Sequence, residues 1–209
     1  HHARIILEHV EEIKVEFMEP GSGAARQTVL GTHPSIYSFI TSGFAGESQA
    51  GHIKIRKMPD DQMEYELQRG LITAGVTTSL SDNEALQFMP VAQDKMCMLV
   101  SDGKGNELVE GVDVMSLTGR PLALLSRNIL HRDYLDQYLD ARNINLDVLL
   151  ELETIEELTS LVRHSDFISL LPASVIAGLN LKGIRVIDTS DQELFRNVFL
   201  VWDRNHKDE

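Results

Sequence analysis

Apolar and polar positions in the first half of the chain follow alternating strand-like and helix-like spacings. The segments 28–33 and 53–57 carry the β-branched or alternating residues of strands, and the segment 35–45 has helical spacing. A second helical pattern ends near Gly70, and the apolar run 71–76 suits a strand buried on both faces. Strands and helices that alternate through short connections predict right-handed crossovers and a parallel sheet.

The second half repeats this pattern, so the hydrophobic positions predict two α/β halves of similar size. Late strands are available to cross back to the first half, which indicates two lobes around a cleft. We expect strands at 86–92, 95–101, 122–125, 148–152, 167–171, 181–187 and 195–202, and helices at 132–142, after Pro172, and from a capping box at Thr154–Glu157.

The beginning of the chain has a different organisation. An amphipathic helix is predicted at 3–18, ahead of a composition break at Glu19–Gly23 that is typical of a linker. Such a helix packs either on a partner chain or back on its own domain. His1 and His2 have the character of the end of a purification tag and are given no chemical role.

Charge and cysteine content narrow the class of protein. Lys and Arg number 19 against 32 Asp and Glu, a formal net charge of −13, which argues against nucleic-acid binding by this segment alone. Cys97 is the single cysteine and lies in an apolar run, which excludes an internal disulfide and favours a buried thiol over a redox sensor. No apolar stretch has the length of a membrane span or a signal-peptide core, so we expect a cytoplasmic chain.

The join between the first strand and the first helix is the main candidate for a ligand site. Pro34 disfavours helix at His33, and Ser35 is suited to cap the helix that follows. Unpaired backbone N–H groups at such a join suit a small anion. An ordinary strand–helix turn is the alternative interpretation.

No catalytic constellation accompanies this join. His131–Asp133 matches three letters of a kinase catalytic loop, but the glycine-rich loop and the DFG motif are absent. The nucleophile elbow, zincin, Walker A and dinucleotide fingerprints are absent as well. The sequence therefore predicts no enzyme activity, no cofactor and no metal site.

Five local signatures, taken in order along the chain, carry a resemblance to a known family. They are Ala3–Leu7, Val29–Ser35, Glu66–Val76, Leu161–Pro172 and Phe199–Arg204. Together they resemble the linker-helix end, the first strand with its ligand-facing turn, two inner strand regions and the returning strand of the effector-binding domain of LysR-type transcriptional regulators. Thr73 stands where Asp is usual in that family, and Ser165 and Phe167 replace two glycines.

The resemblance implies an α/β fold of two Rossmann-like lobes around a cleft, the type 2 periplasmic-binding-protein fold. Residues 1–24 would form the end of a linker helix and a linker, 25–97 with 195–209 lobe I, and 98–194 lobe II. The implied function is a ligand-sensing regulatory domain that binds a small organic acid or an amino-acid-like metabolite between the lobes.

The resemblance also implies partners. The domain would assemble as a homodimer or homotetramer and would reach DNA only through an N-terminal winged helix-turn-helix that this sequence lacks. It would have no membrane partner. The final helix that the family adds to lobe I is expected to be missing as well.

By position in the family, the effector-facing residues follow the strands of both lobes. Asp60 either lines the site, where it would weaken anion binding or favour an amino group, or caps the next helix. Arg127 either binds a carboxylate or bridges the acidic surface, and Phe167 either walls the pocket or fills core. His33 and His131 either make the site sensitive to pH or are inert. The implied residues are Thr32, His33, Pro34, Ser35, Asp60, Asp61, Val76, Thr77, Ser126, Arg127, His131 and Phe167, with Asp166 near the far wall.

Two other functions stay open at this point. A solute-binding protein of a transporter has the same fold, although the sequence shows no leader and begins with a linker-like helix. A small α/β enzyme would need a general base such as His33, Asp60 or His131 within reach of its substrate. The spacing of these residues does not require such a role.

Overall fold

A computed structural model describes residues 28–44, 53–103, 111–127 and 132–204. The predicted helix at 3–18 and the linker at 19–23 lie outside the described residues. In chain order the described elements are β1 (Thr28–Thr32), a 3₁₀ turn (Pro34–Ile36), α1 (Tyr37–Phe44), β2 (Ile53–Lys57), α2 (Asp60–Gln68), β3 (Ala74–Thr77), β4 (Leu86–Ser101), a second 3₁₀ turn (Val114–Leu117), β5 (Leu122–Leu125), α3 (Arg132–Ala141), β6 (Val148–Leu152), α4 (Ile155–Arg163), β7 (Ser169–Pro172), α5 (Ala173–Ile176), β8 (Ile184–Asp188) and β9 (Phe195–Asp203).

The contacts within the chain define two compact units. The described residues up to Gln93 and from Asn197 onward form unit 1, and Asp94–Arg196 forms unit 2. Strands β4 and β9 each run through a boundary between the units, so each contributes residues to both. The α/β class predicted from the hydrophobic pattern is confirmed.

Unit 1 is built on the parallel strands β2, β1 and β3, with β9 antiparallel to β3. Leu30, in the middle of β1, pairs with Ile55 of β2 and Ala74 of β3. Because side chains alternate along a strand, the sheet packs two separate apolar clusters. The first contains Leu30, Ile36, Ile40, Ala74, Val76, Val91, Val198 and Leu200, and the second contains Met58, Met63, Leu67, Ile72, Leu86 and Val201.

Unit 2 has a different pairing. Strand β4 pairs antiparallel with both β7 and β8, while β5 and β6 form a separate parallel pair. The predicted capping box at the start of α4 is confirmed, because Thr154 Oγ1 accepts from the Glu157 N–H at 3.2 Å and Glu157 Oε2 accepts from the Thr154 N–H at 3.1 Å. Capping of this kind fixes where the helix begins.

Several predicted strands differ from the structure in their bounds. The segments predicted as separate strands at 86–92 and 95–101 form the single strand β4. Pro90 lies inside this strand and is exposed, and the strand also pairs with β9 in the sheet. The run predicted as a strand at 71–76 enters the sheet only at Ala74, because the Leu71 N–H turns back to the Glu66 carbonyl at 2.9 Å.

Candidate functional site

The carboxyl ends of β1, β2 and β3 lie at one edge of unit 1, because the three strands are parallel. Thr32 ends β1, opposite Lys57 of β2 and Val76 of β3. The His33 N–H, one residue beyond β1, donates to the Val76 carbonyl at 2.9 Å. This edge therefore collects the residues that the sequence placed in the first turn and at the end of the third strand.

The turn after β1 is held by its own side chains. His33 Nδ1 accepts from the Ser35 N–H at 3.3 Å and lies 2.8 Å from Ser35 Oγ. His33 is therefore the N-cap of the 3₁₀ turn, and Pro34 takes its first position. Ser35, which the sequence suggests as a cap for the helix that follows, lies inside this 3₁₀ turn, and its hydroxyl meets the imidazole of His33.

The Thr32 hydroxyl lies in an unusual environment. Its side chain is fully buried, and among the residues that the structure describes its hydroxyl has no hydrogen-bond partner. A buried hydroxyl without a partner keeps its desolvation cost uncompensated, about 1–3 kcal/mol. Val76, on the neighbouring strand, is likewise fully buried but belongs to the apolar core.

Asp60 is the first residue of α2, and it does not cap that helix. Pro59 occupies the N-cap position without a side-chain hydrogen bond. The Asp60 carboxylate instead accepts from the Thr77 hydroxyl at 2.6 Å, and Thr77 Oγ1 accepts from the Ser79 N–H at 3.1 Å. The capping interpretation of Asp60 is therefore wrong. Its neighbour Asp61 is exposed in the first turn of α2.

The remaining predicted residues belong to unit 2. Ser126, just after β5, donates to Glu153 Oε1 at 2.9 Å. Arg127 is 74% exposed and lies 3.4 Å from Asp136 Oδ2, which agrees with a surface bridge. Phe167 packs against an apolar cluster around α4, and Asp166 beside it is exposed. His131 lies outside the described residues.

Arg132 is a buried charged residue of unit 2 that was not predicted from the sequence. It begins α3 with a side chain only 4% exposed and donates to the Leu125 carbonyl at 3.0 Å, to Glu151 Oε1 at 2.9 Å and to Asp136 Oδ1 at 2.7 Å. The spacing of Arg132 and Asp136, one helical turn apart, is the signal that would have indicated it. Because these acceptors already surround the guanidinium, Arg132 holds α3 to β5 and β6.

Within residues 28–44, 53–103, 111–127 and 132–204, no group of three or more His, Cys, Asp or Glu side chains is placed to hold a metal ion. No helix in those ranges has the length and apolar character to cross a membrane.

A comparison with models of protein families shows to which family the chain belongs. The model of the LysR substrate binding domain matches residues 42–209 of the chain. This chain belongs to the LysR substrate binding domain family. It is a ligand-sensing regulatory domain of a LysR-type transcriptional regulator, and the resemblance drawn from the five signatures is confirmed.

Solved structures of the LysR family show the same fold at low sequence identity. Full-length CbnR in complex with its target DNA aligns with a TM-score of 0.72 at 14% identity over 98% of this chain and 71% of that chain. The BenM effector-binding domain with its effector benzoate aligns at 0.70 and 16% identity over 85% and 83%. The QuiR effector-binding domain in complex with shikimate aligns at 0.59 and 14% identity over 86% and 88%. At identities this low, the structural matches show the fold alone. The ligand of this chain has to be argued from its own residues.

Proposed function

We propose that this LysR substrate binding domain holds a small metabolite at the carboxyl edge of β1 and β3, through Thr32, His33, Ser35 and Thr77. The observation that carries the proposal is the fully buried Thr32 hydroxyl, which lacks a partner in the described part of the chain. A ligand that reaches this edge would supply the missing hydrogen bond. The backbone turn beside it brings the polar groups of His33 and Ser35 to the same edge.

The LysR neighbours support the class of ligand in general terms. Benzoate in BenM and shikimate in QuiR are both small metabolite-sized organic molecules. The hydroxyl and imidazole groups of this chain suit a ligand of similar size that accepts and donates hydrogen bonds. For unit 2, we propose that Ser126, Arg127, His131 and Phe167 are effector-binding residues, on the resemblance to the LysR family alone.

The test is a screen of small organic acids, amino acids and amines by thermal shift and calorimetry, with Thr32→Val as the decisive variant. Valine keeps the shape of threonine and removes the hydroxyl. We expect Thr32→Val to raise the melting temperature of the free domain, since an unpaired buried hydroxyl is removed, and to reduce the shift produced by the ligand.

The matched control is Thr28→Val, at the opposite end of the same strand and also buried. This variant should leave ligand binding unchanged, because Thr28 lies at the amino end of β1. The proposal is refuted if both variants bind a ligand from the screen as well as the parent does, or if no compound binds the parent.

We further propose the partners of the domain. A homodimer or homotetramer is the expected assembly, since symmetric association is the usual state of soluble oligomers. DNA would be contacted by a winged helix-turn-helix elsewhere in the regulator, because a net charge of −13 disfavours phosphate contacts by these residues. A regulator that acts on DNA works in the cytoplasm, and we propose that compartment. Sedimentation equilibrium would give the assembly state directly.

We also propose that the domain senses its ligand without transforming it. The Ser35 hydroxyl lies 2.8 Å from His33 Nδ1 at the edge of β1 and β3, but both residues belong to the 3₁₀ turn and its cap, where the same imidazole nitrogen also accepts from the Ser35 N–H. Among the described residues, no group of three or more His, Cys, Asp or Glu side chains is placed to hold a metal ion. NMR spectra of a binding compound, recorded over a day with the domain present, should therefore stay unchanged. Consumption of the compound would show that the domain is an enzyme and would contradict this proposal.

A further inference from the structure

Lys57 is a charged residue at the carboxyl edge of unit 1 that was not predicted from the sequence as an effector-binding residue. It ends β2 and pairs with Thr32 of β1 in the parallel ladder. The Met58 N–H, one residue further on, donates to the Thr32 carbonyl at 3.0 Å and so extends this register. Neighbouring strands lie about 4.8 Å apart. The backbone of Lys57 is therefore one strand spacing from Thr32, whose buried hydroxyl lacks a partner among the described residues.

The Lys57 ammonium lies over an aromatic ring. Its Nζ is 4.8 Å from the centroid of the Tyr37 ring. Tyr37 is the first residue of α1 and follows the 3₁₀ turn that contains Ser35. The quadrupole of an aromatic ring attracts a cation to its face, which restricts the positions of a long and flexible side chain. The ring therefore holds the ammonium close to the turn of the proposed effector site.

Lys57 has no acidic partner within the part of the chain that the structure describes. The side chain of its neighbour Arg56 points to the opposite face of the strand and pairs with Glu66 of α2. Asp60, three residues further along the chain, accepts from the Thr77 hydroxyl at 2.6 Å. A carboxylate that reaches the ammonium would therefore displace no carboxylate of the described protein.

The turn beside Lys57 uses its own backbone donors. The Ser35 N–H donates to the His33 imidazole at 3.3 Å, and the Ile36 N–H donates to the His33 carbonyl at 3.1 Å. The Tyr37 N–H donates to the carbonyl of Pro34, at the start of the turn. These three N–H groups are therefore not available to an anion, and positive charge at this edge has to come from a side chain.

We propose that Lys57, positioned by Tyr37, binds a carboxylate of the effector at the edge of β1 and β2. The inference rests on the proposed function, because it adds a charged group to the site that contains Thr32. A single ammonium matches the one negative charge of a carboxylate, whereas a phosphate dianion in a chain of net charge −13 would need further cations. The ammonium supplies the counter-charge, and the Thr32 hydroxyl supplies a hydrogen bond to the same ligand.

The experiment is a titration of the 209-residue chain with sodium benzoate, benzamide and phenyl phosphate, which share a ring and differ in charge. Sodium acetate and acetamide repeat the comparison without a ring. Binding is followed by NMR shifts of ¹⁵N amides at constant ionic strength, since added salt screens exposed charges. We expect both carboxylates to shift the amides of His33, Ser35 and Lys57 in a saturable manner. The two amides and phenyl phosphate should bind more weakly than the carboxylate of matching size.

Four variants test the roles of the cation and the ring. Lys57→Met should weaken benzoate by about threefold, the loss expected for one exposed ion pair, and should leave benzamide unchanged. Lys57→Arg keeps the charge and should retain most of the binding. Tyr37→Leu should weaken benzoate while Tyr37→Phe retains it, because phenylalanine preserves the aromatic face.

The matched control is Lys54→Met, because Lys54 is also exposed on β2 but lies near the amino end of that strand. It should bind benzoate as the parent does. Three results overturn the inference: the amides bind as well as their carboxylates, Lys54→Met weakens benzoate as much as Lys57→Met does, or neither carboxylate shifts the three backbone amides.

The same ligands separate this inference from the proposed function. If Thr32→Val weakens a bound carboxylate and Lys57→Met does not, the strand edge is the site and Lys57 is not part of it. If Lys57→Met weakens the carboxylate and Thr32→Val does not, the anion binds at Lys57 and the Thr32 hydroxyl is not its partner. The first result overturns the inference alone, and the second contradicts the proposed function alone.

Discussion

Arg196 Nε donates to Asp94 Oδ2 at 2.8 Å, and the two side chains are 5% and 4% exposed. Asp94 also accepts from the Ser174 N–H at 2.9 Å and from the Ser174 hydroxyl at 2.6 Å, so both carboxylate oxygens are occupied. Burial lowers the pKa of the Arg196 guanidinium, while the charge and hydrogen bond of Asp94 oppose that change. These three residues join β4, β9 and the start of α5 within unit 2.

Removing one partner of this buried pair should therefore destabilise the domain strongly. We expect Asp94→Ala to lower the free energy of unfolding by about 3–5 kcal/mol, because Arg196 is left buried without its counter-charge. Urea unfolding monitored by circular dichroism measures the loss. Asp133→Ala, on an exposed position of α3, should change stability by less than about 0.5 kcal/mol. Equal effects of the two substitutions would contradict the role of the pair.

Glu66 should give the domain a stability component that depends on pH. Burial by itself would raise the pKa of Glu66, but hydrogen bonds from Arg56 and Gln62 and the charge of Arg56 outweigh it and hold the pKa below its ordinary value of 4.5. A carboxyl with a lowered pKa in the folded state stabilises the fold above its unfolded pKa. That stabilisation is present above about pH 4.5 and is lost as the pH falls through the lowered folded pKa.

The variant that isolates this component is Glu66→Gln, compared with the exposed Glu84→Gln. Between pH 7 and pH 3.5, the parent and Glu84→Gln should lose stability along similar curves in urea unfolding. Glu66→Gln should start lower at pH 7 and fall less steeply below about pH 4.5, since the Arg56 pair is already removed. Curves of equal slope for all three proteins would show that Glu66 contributes nothing to the acid transition.

Elements whose local signals agree with their packing were predictable from the sequence. The alternation at 53–57 gave β2 with its observed bounds, and the capping box at Thr154 gave the start of α4. Tertiary contacts decided the exceptions. Leu71 lies in an apolar run, yet it is 55% exposed because its N–H bonds back to Glu66 and the chain reaches the sheet only at Ala74.

The grouping of Thr32, His33 and Thr77 at one strand edge was predictable from the sequence, and their hydrogen-bond partners were not. The sequence placed Thr32, His33 and Thr77 after apolar runs, and parallel pairing brings them to one edge. The hydrogen-bond partners of these polar groups depend on side-chain geometry, which cannot be derived from residue spacing in the sequence. The hydrogen bond from Thr77 to Asp60 joins residues 17 positions apart, and the burial of Arg132 depends on acceptors from β5 and β6.

Cys97 should be inert to thiol reagents in the folded domain. Burial raises the pKa of the thiol to about 12, and Asp188, whose Oδ1 lies 3.5 Å from Sγ, adds to the rise. The thiolate is the reactive form, so very little of it exists at pH 8. Reaction with Ellman's reagent should be undetectable over an hour in buffer and complete within minutes in denaturing guanidinium chloride. Rapid reaction of the native protein would show that the strand opens or that the thiol is accessible.

Gly75 allows α2 to pack closely on β3, and a methyl group there should disturb that packing. A Cβ at Gly75 would lie 2.8 Å from Met63 Cγ and 2.9 Å from Val201 Cγ1, closer than van der Waals contact. We expect Gly75→Ala to cost about 1–3 kcal/mol of unfolding free energy through overpacking. In a Met63→Ala background the same substitution should cost less, because the thioether that it meets has been removed. A double-mutant cycle in urea measures this coupling. A cost that is equal in both backgrounds would place the strain elsewhere, in the backbone of β3 or against Val201.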